Sequence, residues 1–473
     1  TEQWFASVDQ FRQTMLDEIK RLKWTPEWGE IRMHNMIADR GDWCISRQRS
    51  WGVPIPAFYC KSCDEPLMNE QSIERIASIF EKEGSNAWFE KDETELLPEG
   101  AACSKCGHRE FRKETDIMDV WFDSGSTHIA VLETRPELQW PADLYLEGSD
   151  QYRGWFNSSL ITAAAVRGKA PYKAILSHGF TLDGEGRKMS KSLGNTVDPA
   201  KVCNQLGADI LRLWVSSVDY RSDVRISDNI LKQITEVYRK IRNTLGFFLG
   251  NLNGFDPRQH AVPYEQMNEL DRFALIRLHR MIERVRRAYD NYEFHIVYQA
   301  VHHFCAVEMS AFYLDIVKDR LYVEAPDNPE RRAAQTVLYE SLNAVVKLIA
   351  PILPHTADEV WKHVPDAEVI SVQLTDLPEA DPKVYDEEIE RKWNQFMDVR
   401  DEIFKALEQA RKDKVFGNSL GAQVDLYPEE ETYRLLSTLD DLNELLIVSK
   451  ANLHAPDVAA SEDAMQLKGI AVK

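Results

Sequence analysis

Two lysines three positions apart, Lys188 and Lys191, lie in the polar run HGFTLDGEGRKMSKSLGN at 178–195. Ammonium groups on long stems act as mobile point charges. In a loop rich in glycine and serine they can close on a polyphosphate whose charge grows during reaction. A bare K-x-x-K pair also suits a solvated surface turn. Four cysteines form two C-x-x-C pairs, Cys60 with Cys63 and Cys103 with Cys106. Four thiolates are the closed tetrahedral set that a structural Zn²⁺ prefers, with no position left for water. Two redox pairs or four unlinked cysteines are the other readings. Gly107 fits the tight turn of a zinc knuckle, and His108 reads as a neighbour rather than a ligand. In RGDWCISRQRSWGVPIP (40–56), Arg47 and Arg49 flank Gln48 between Trp43 and Trp51. That pattern suits a packed loop with exposed arginines. It suits equally a wall holding a nucleic-acid end by guanidinium–phosphate and stacking contacts.

Strands and helices must position these groups. In DIMDVWFDSGS (116–126), the apolar Val120-Trp121-Phe122 predicts a buried strand breaking into a polar turn at Asp123-Ser124-Gly125. In YLEGSDQYRGWFNSSL (145–160), Leu144-Tyr145-Leu146 predicts a second short strand with Glu147, Gly148, Ser149 and Asp150 at its carboxyl end. Polar groups beyond the carboxyl ends of parallel strands are where doubly wound sheets bind ligands. Gly148 would let the backbone approach a ligand, while Glu147, Asp150 and Gln151 could hold an amine or ribose hydroxyls. Trp121 and Trp155 either pack in the core or wall a pocket for an apolar side chain.

Helical spacing dominates the rest. Phe11, Met15, Ile19 and Leu22 mark an early helix, after a strand-like TEQWF start. Asp198-Pro199 is an N-cap and first-turn pair, and Ile210, Leu213, Trp214 and Val215 belong to the next helix. Ser227 caps a long helix whose apolar positions run from Ile230 to Phe248, with Arg239 and Arg242 along it. Arg277, Arg280, Arg284 and Arg287 recur on one helical face. Two further helical segments are expected near 295–322 and 329–350, and another over 393–412. His302-His303 on the first of these has no carboxylate or cysteine company in the sequence, so it reads as a packed pair. Strand-like pieces at 422–427 and 445–448 flank a helix in a small α/β module.

The chain has 473 residues, enough for about two to four domains. With 77 acidic and 57 basic residues its net charge is −20, so there is no bulk nucleic-acid signature. A local basic face can still bind RNA, because only charges within about 8–10 Å of a phosphate act strongly. No apolar stretch of about 18 residues and no secretory pattern is present, which predicts a cytoplasmic chain without a membrane partner. An odd count of seven cysteines argues against a disulfide framework.

The blocks DVWFDSGS, EGSDQYRGWF and HGF…GRKMSKSLGN, in this order, resemble those of the class I aminoacyl-tRNA synthetases, in particular the bacterial isoleucyl-tRNA synthetase family. The resemblance runs over essentially the whole chain. It implies a ligase that activates isoleucine with ATP and Mg²⁺ and loads it onto tRNA(Ile), acting as a monomer. A ligase for valine or leucine, or a tRNA-binding fragment inactive alone, are the alternatives. By residue, it implies Lys188 and Lys191 as catalytic cations. Glu147, Gly148, Asp150, Gln151, His178, Gly179, Met189, Ser190 and Ser192 would contact ATP or the adenylate. Trp121 and Trp155 would wall the isoleucine pocket. Arg47, Arg49, Arg239, Arg242, Arg277, Arg280 and Arg284 become candidates for tRNA contact. The implied fold is α/β plus all-α. It comprises a segment rejoining the catalytic core (1–56), a zinc-ribbon insert (57–112) and the second half of a Rossmann-like core with the KMSKS loop (113–207). A stem-contact junction (208–228), a helical-bundle anticodon-binding domain (229–412) and a small α/β module (413–473) follow. The family's HIGH-like tetrad is not found here. The chain therefore reads as the C-terminal portion of a longer synthetase, without the editing domain or the C-terminal zinc segment.

Overall fold

A computed structural model describes residues 2–367 and 369–473. The chain divides into two compact units, Thr1–Phe180 with Tyr220–Asp223, and Thr181–Asp219 with Val224–Lys473.

The first unit is built on a three-stranded parallel sheet in the order Lys23–Thr25, Ala174–His178, Tyr145–Gly148. Its central strand reads AILSH and is buried through Ser177, the apolar run expected where both faces of a parallel strand are covered. Helices Arg12–Ile19, Trp28–Ala38 and Trp155–Arg167 supply the cover, through Met15, Ile19, Met33, Ile37, Phe156 and Leu160. Among the described residues of the TEQWF start, Phe5 enters a strand, Phe5–Ala6, paired antiparallel with Trp43–Cys44.

Two features of this unit differ from expectation. Val120-Trp121-Phe122 is helical, not a strand: Asp119 accepts the Trp121 N–H and starts a helix Val120–Gly125, leaving Val120 68% exposed. A three-residue apolar run has no period of its own, so the cap decides its state. Gly125 then permits close packing, since a Cβ there would lie 2.8 Å from the Ser158 backbone. Glu147 and Gly148 lie within their strand rather than beyond it, and Ser149–Arg153 forms a 3₁₀ turn.

The cysteine-bearing insert has its own three-stranded antiparallel sheet, in the order Pro66–Leu67, Phe58–Cys60, Phe111–Lys113. Helix Glu70–Glu83, opened by an Asn69–Ser72 capping box, closes a small core of Phe58, Ile76, Ile79, Trp88 and Phe111.

The second unit is mainly helical. Asp198 caps Pro199–Leu206, Ser227 caps Asp228–Asn251, and Asn268 caps Glu269–Asp290. Val215, placed with the apolar residues of helix Ala208–Ser217, is 49% exposed. The segment read as one helix over 295–322 is divided: Phe294–His303 passes into a π-helical stretch Phe304–Tyr313, followed by short turns Leu314–Ile316 and Lys318–Tyr322. That winding brings Glu308 to 3.4 Å from His303 Nε2, so the histidine does have carboxylate company. Pro329–Ile349 and Glu387–Lys412 complete the long helices. The C-terminal module is a four-stranded sheet in the order Lys450–Leu453, Gln423–Pro428, Ile470–Val472, Met465–Leu467. Leu445–Val448 is not its strand. Asp441 caps a helix Leu442–Leu446 there, and Ile447 ends it at φ 53°.

Candidate functional site

In the first unit, Tyr145–Gly148 and Ala174–His178 run parallel with Glu147 opposite Ser177 and Gly148 opposite His178. Their carboxyl ends are therefore level. A Cβ on Gly148 would stand 2.6 Å from Asp150 Oδ1 and 3.6 Å from His178 Cε1, so glycine leaves room for both polar groups. Gln151 Oε1 accepts the Trp155 N–H at 2.8 Å, fixing the first turn of helix Trp155–Arg167. His178 Nδ1 lies 2.8 Å from the Gly179 carbonyl oxygen. Gly179 packs so tightly that a Cβ would be 2.4 Å from the Ser222 backbone. Glu147 and Asp150 are exposed. This arrangement offers carboxylate and amide acceptors, an imidazole and a bare backbone at one sheet end, a set able to hold an ammonium and hydroxyls.

The two tryptophans hold different positions. Trp155 stacks on Tyr145 with ring centroids 3.9 Å apart and 10° between planes, and its Nε1 donates to the Ser124 carbonyl at 3.0 Å. Trp121 is 40% exposed and lies over Gly154, whose absent Cβ would meet its ring at 2.8 Å. Trp121 borders a cavity of about 400 Å³ together with Arg40, Trp43, Arg47, Asp119 and Arg153. Trp155 is not among the residues lining that cavity. Asp119 is the hub of this region: it accepts from Trp43 Nε1 (3.1 Å), Arg47 Nη2 (2.8 Å) and the Trp121 N–H (3.2 Å). Burial, reinforced by the charge of Asp119, pushes the Asp123 carboxyl up to about 6.

In the second unit, the lysine loop begins as a hairpin. Lys188 is bridged in backbone register to Leu182, and Gly186 turns the chain at φ 82°. Met189 and Ser190 are half-buried, Lys188, Lys191 and Ser192 exposed. Ser190 Oγ lies 3.1 Å from Ser192 Oγ and accepts the Leu193 N–H at 3.3 Å. Neither lysine ammonium has a protein partner among the described residues.

The four C-x-x-C sulfurs converge within 4.8 Å of one another. Cys60 and Cys106 are 3.6 Å apart, Cys63 and Cys103 3.5 Å, close to the about 3.8 Å edge of a tetrahedron with Zn–S bonds of about 2.3 Å. The two knuckles are built alike: Asp64 N–H donates to Cys60 O and Gly107 N–H to Cys103 O, both at 2.9 Å. Backbone N–H groups of Cys106 and Lys105 draw the Cys103 thiol down, while hydrogen bonding among the sulfurs pushes Cys63 up, so the four thiols share their protons as one coupled group. The donor set fits zinc. His108 stands outside it, facing Glu110 at 3.9 Å.

Most of the arginines are engaged within the protein. Arg47 also donates to the Cys44 and Ser46 carbonyls at 2.8 Å, whereas Arg49 is exposed and donates to the Gln48 carbonyl at 2.9 Å. Arg239 pairs with Glu236 and Arg242 with Glu359. Arg277 binds Glu308, Arg280 binds Glu390 and stacks 4.0 Å over Tyr385, and Arg287 binds Glu283. Arg284 is exposed and has no carboxylate partner among the described residues.

Comparison with known proteins fits both units. The family profile "tRNA synthetases class I (I, L, M and V)" matches residues 1–227, and "Anticodon-binding domain of tRNA ligase" matches 271–426. The chain belongs to the class I tRNA synthetases. It is 61% identical over 474 residues to the isoleucine–tRNA ligase of Brevibacillus brevis, and 61% over 476 residues to that of Geobacillus thermodenitrificans. Each match covers 100% of this chain and 51% of the relative, so the chain spans about half the length of the curated relatives it matches. Mycobacterium tuberculosis methionyl-tRNA synthetase in complex with methionyl-adenylate shares the fold at TM-score 0.55 and 21% identity, covering 76% of this chain and 62% of that one. The LeuRS–tRNA–LeuAMS complex of Agrobacterium radiobacter does so at TM-score 0.54 and 21% identity, covering 72% and 42%.

Sequence reading of this chain missed Asp119, Asp183 and Asn195, which hold the side chains and backbone of the candidate site in place. Asp183 and Asn195 bracket the signature loop, and a search for polar residues at both ends of a glycine-rich run would have found them. Asp119 gives no such local signal, because Arg47 and Trp43 reach it from 72 and 76 residues away. No helix among the described residues is long and apolar enough to cross a membrane.

Proposed function

We propose that this chain supplies the KMSKS half of the activation site and the anticodon-binding domain of an isoleucine–tRNA ligase. The isoleucine carboxylate attacks the ATP α-phosphorus and pyrophosphate leaves. A terminal ribose hydroxyl of tRNA(Ile) then attacks the acyl carbon of the adenylate, forming the ester as the acyl–phosphate bond breaks and AMP leaves. Lys188 and Lys191 serve as the cations of the pyrophosphate side, together with Mg²⁺. Glu147, Asp150, Gln151 and His178 hold the amino and ribose groups, and Trp121 and Trp155 shape the side-chain pocket. The protein thereby contributes position and electrostatics more than covalent chemistry. Zn²⁺ on Cys60, Cys63, Cys103 and Cys106 would be structural, since four protein thiolates leave no open position for catalysis.

The observation that carries this reading is a pair of lysines on a braced loop, without a protein partner among the described residues, in a chain 61% identical along its whole length to isoleucine–tRNA ligases. It is tested by grafting the chain into the Brevibacillus brevis relative in place of the stretch it matches. The graft should charge tRNA(Ile) with isoleucine in preference to valine or leucine. Preferential use of either other amino acid would assign a sibling activity. Binding of tRNA without any charging would reduce the chain to an RNA-binding module.

A further inference from the structure

The two signature lysines are carried by different parts of one loop. Lys188 is fixed by its backbone bridge to Leu182, whereas Lys191 opens a separate turn closed by Gly194 N–H donating to its carbonyl at 3.2 Å. A side-chain relay joins the two parts. Asn195 Oδ1 accepts the Ser190 N–H at 2.9 Å, and Asn195 Nδ2 donates to Asp183 Oδ2 at 2.9 Å and to the Lys188 carbonyl at 3.2 Å. Asp183, only 7% exposed, anchors the relay. Its Oδ1 accepts the N–H groups of Glu185 (3.0 Å) and Arg187 (2.8 Å), and its Oδ2 accepts Arg187 Nε at 2.9 Å as well as Asn195.

Four donors occupy the lone-pair sites of a carboxylate. Asp183 therefore cannot act as a general base or hold a Mg²⁺ without breaking the frame. The loop's hydrogen bonds go into its scaffold, and among the described residues neither lysine ammonium is engaged. We infer that Asp183 and Asn195 are positioning residues for amino-acid activation, setting the separation at which Lys188 and Lys191 meet the polyphosphate. This rests on the ligase reading above and deepens it. The chemical reason is geometric: a cation that must meet a developing charge loses most of its effect when displaced by about 1 Å.

The test compares Asn195→Ala, Asp183→Asn and the reciprocal double variant D183N/N195D. The exchange restores an amide–carboxylate bond between the two positions and keeps an acceptor for the Ser190 N–H, but it loses the donor to the Lys188 carbonyl and the acceptor of Arg187 Nε, so its rescue is partial. Two readouts are taken. In the chain itself, trypsin cleavage after Lys191, followed by mass spectrometry, should be about 10-fold faster in Asn195→Ala, with the double variant nearer the parent. In the graft described above, isoleucine-dependent ATP–pyrophosphate exchange should lose about 100-fold in kcat with the isoleucine KM nearly unchanged, and the double variant should regain about 10-fold. The inference is overturned if cleavage in Asn195→Ala matches the parent, or if the double variant is no better than either single change in both assays. A graft inactive before any substitution would sink the ligase reading instead, and cleavage alone would then decide the relay.

Discussion

Arg47 and Asp119, 72 residues apart in sequence, meet at 2.8 Å through Arg47 Nη2. Asp119 is 5% exposed, so the arginine compensates a buried carboxylate instead of standing clear as part of an RNA-binding wall. Replacing Arg47 by methionine leaves Asp119 with neutral donors at hydrogen-bond distance and the more distant charge of Arg40. The expected loss is about 2 kcal/mol, below the range for fully buried pairs because the arginine side chain is 41% exposed. Urea denaturation followed by tryptophan fluorescence measures it. Unchanged stability with weakened tRNA binding would return Arg47 to the role expected from sequence.

Arg284 is the opposite case. Its neighbours on helix Glu269–Asp290 are held by Glu308, Glu390 and Glu283, while Arg284 faces solvent alone among the described residues. If this face meets RNA phosphates, Arg284→Ala should weaken tRNA binding and flatten the slope of log K against log salt by about 1. Arg277→Ala should instead mainly destabilise the helical unit, since it leaves the largely buried Glu308 with the His303 imidazole in place of a guanidinium. Equal salt slopes for parent and Arg284→Ala would remove this arginine from the interface.

The cysteine cluster predicts a stoichiometry. Elemental analysis should find about one zinc per chain, falling to near zero in Cys63→Ser, because structural sites use all four ligands. The insert's small core, with Phe58 and Trp88 at 5.0 Å, should loosen at the same time and show faster proteolysis. Full zinc retention in Cys63→Ser would contradict a four-thiolate site.

Asp123 gives a pH signature. Its folded pKa of about 6 lies above the unfolded value of about 3.9, so the fold favours the protonated form. The resulting stabilisation is complete in acid and lost as pH rises through roughly 4 to 6. Asp123→Asn, which keeps the neutral form, should therefore gain stability relative to the parent as pH rises from about 5 to 7.5. Paired urea titrations at the two pH values read the difference. A constant difference would mean that Asp123 titrates like an exposed carboxylate.

What could be read from the sequence depended on how local the signal was. Asp198-Pro199, Ser227 and the two C-x-x-C turns act through hydrogen bonds spanning two to four residues, and each is found where their chemistry puts it. Val120–Phe122 and Leu445–Val448 were misread as strands because a short apolar run is ambiguous until its cap is considered; Asp119 and Asp441 both start helices there. The arginine pattern was legible as a helical face but not as a set of ion pairs. Glu308 and Glu390 reach Arg277 and Arg280 from 31 and 110 positions away. The signature loop was recognised through its lysines, whereas its frame lies in Asp183 and Asn195.

On the proposed reading, Lys188 and Lys191 act as cations in isoleucine activation. The measurement that reaches it most directly is isoleucine-dependent ATP–pyrophosphate exchange by the graft, with and without Lys191→Ala. Exchange by the parent graft, cut about 100-fold or more by the substitution with isoleucine KM little changed, is the predicted result. Exchange that proceeds equally well with alanine at position 191 would contradict it.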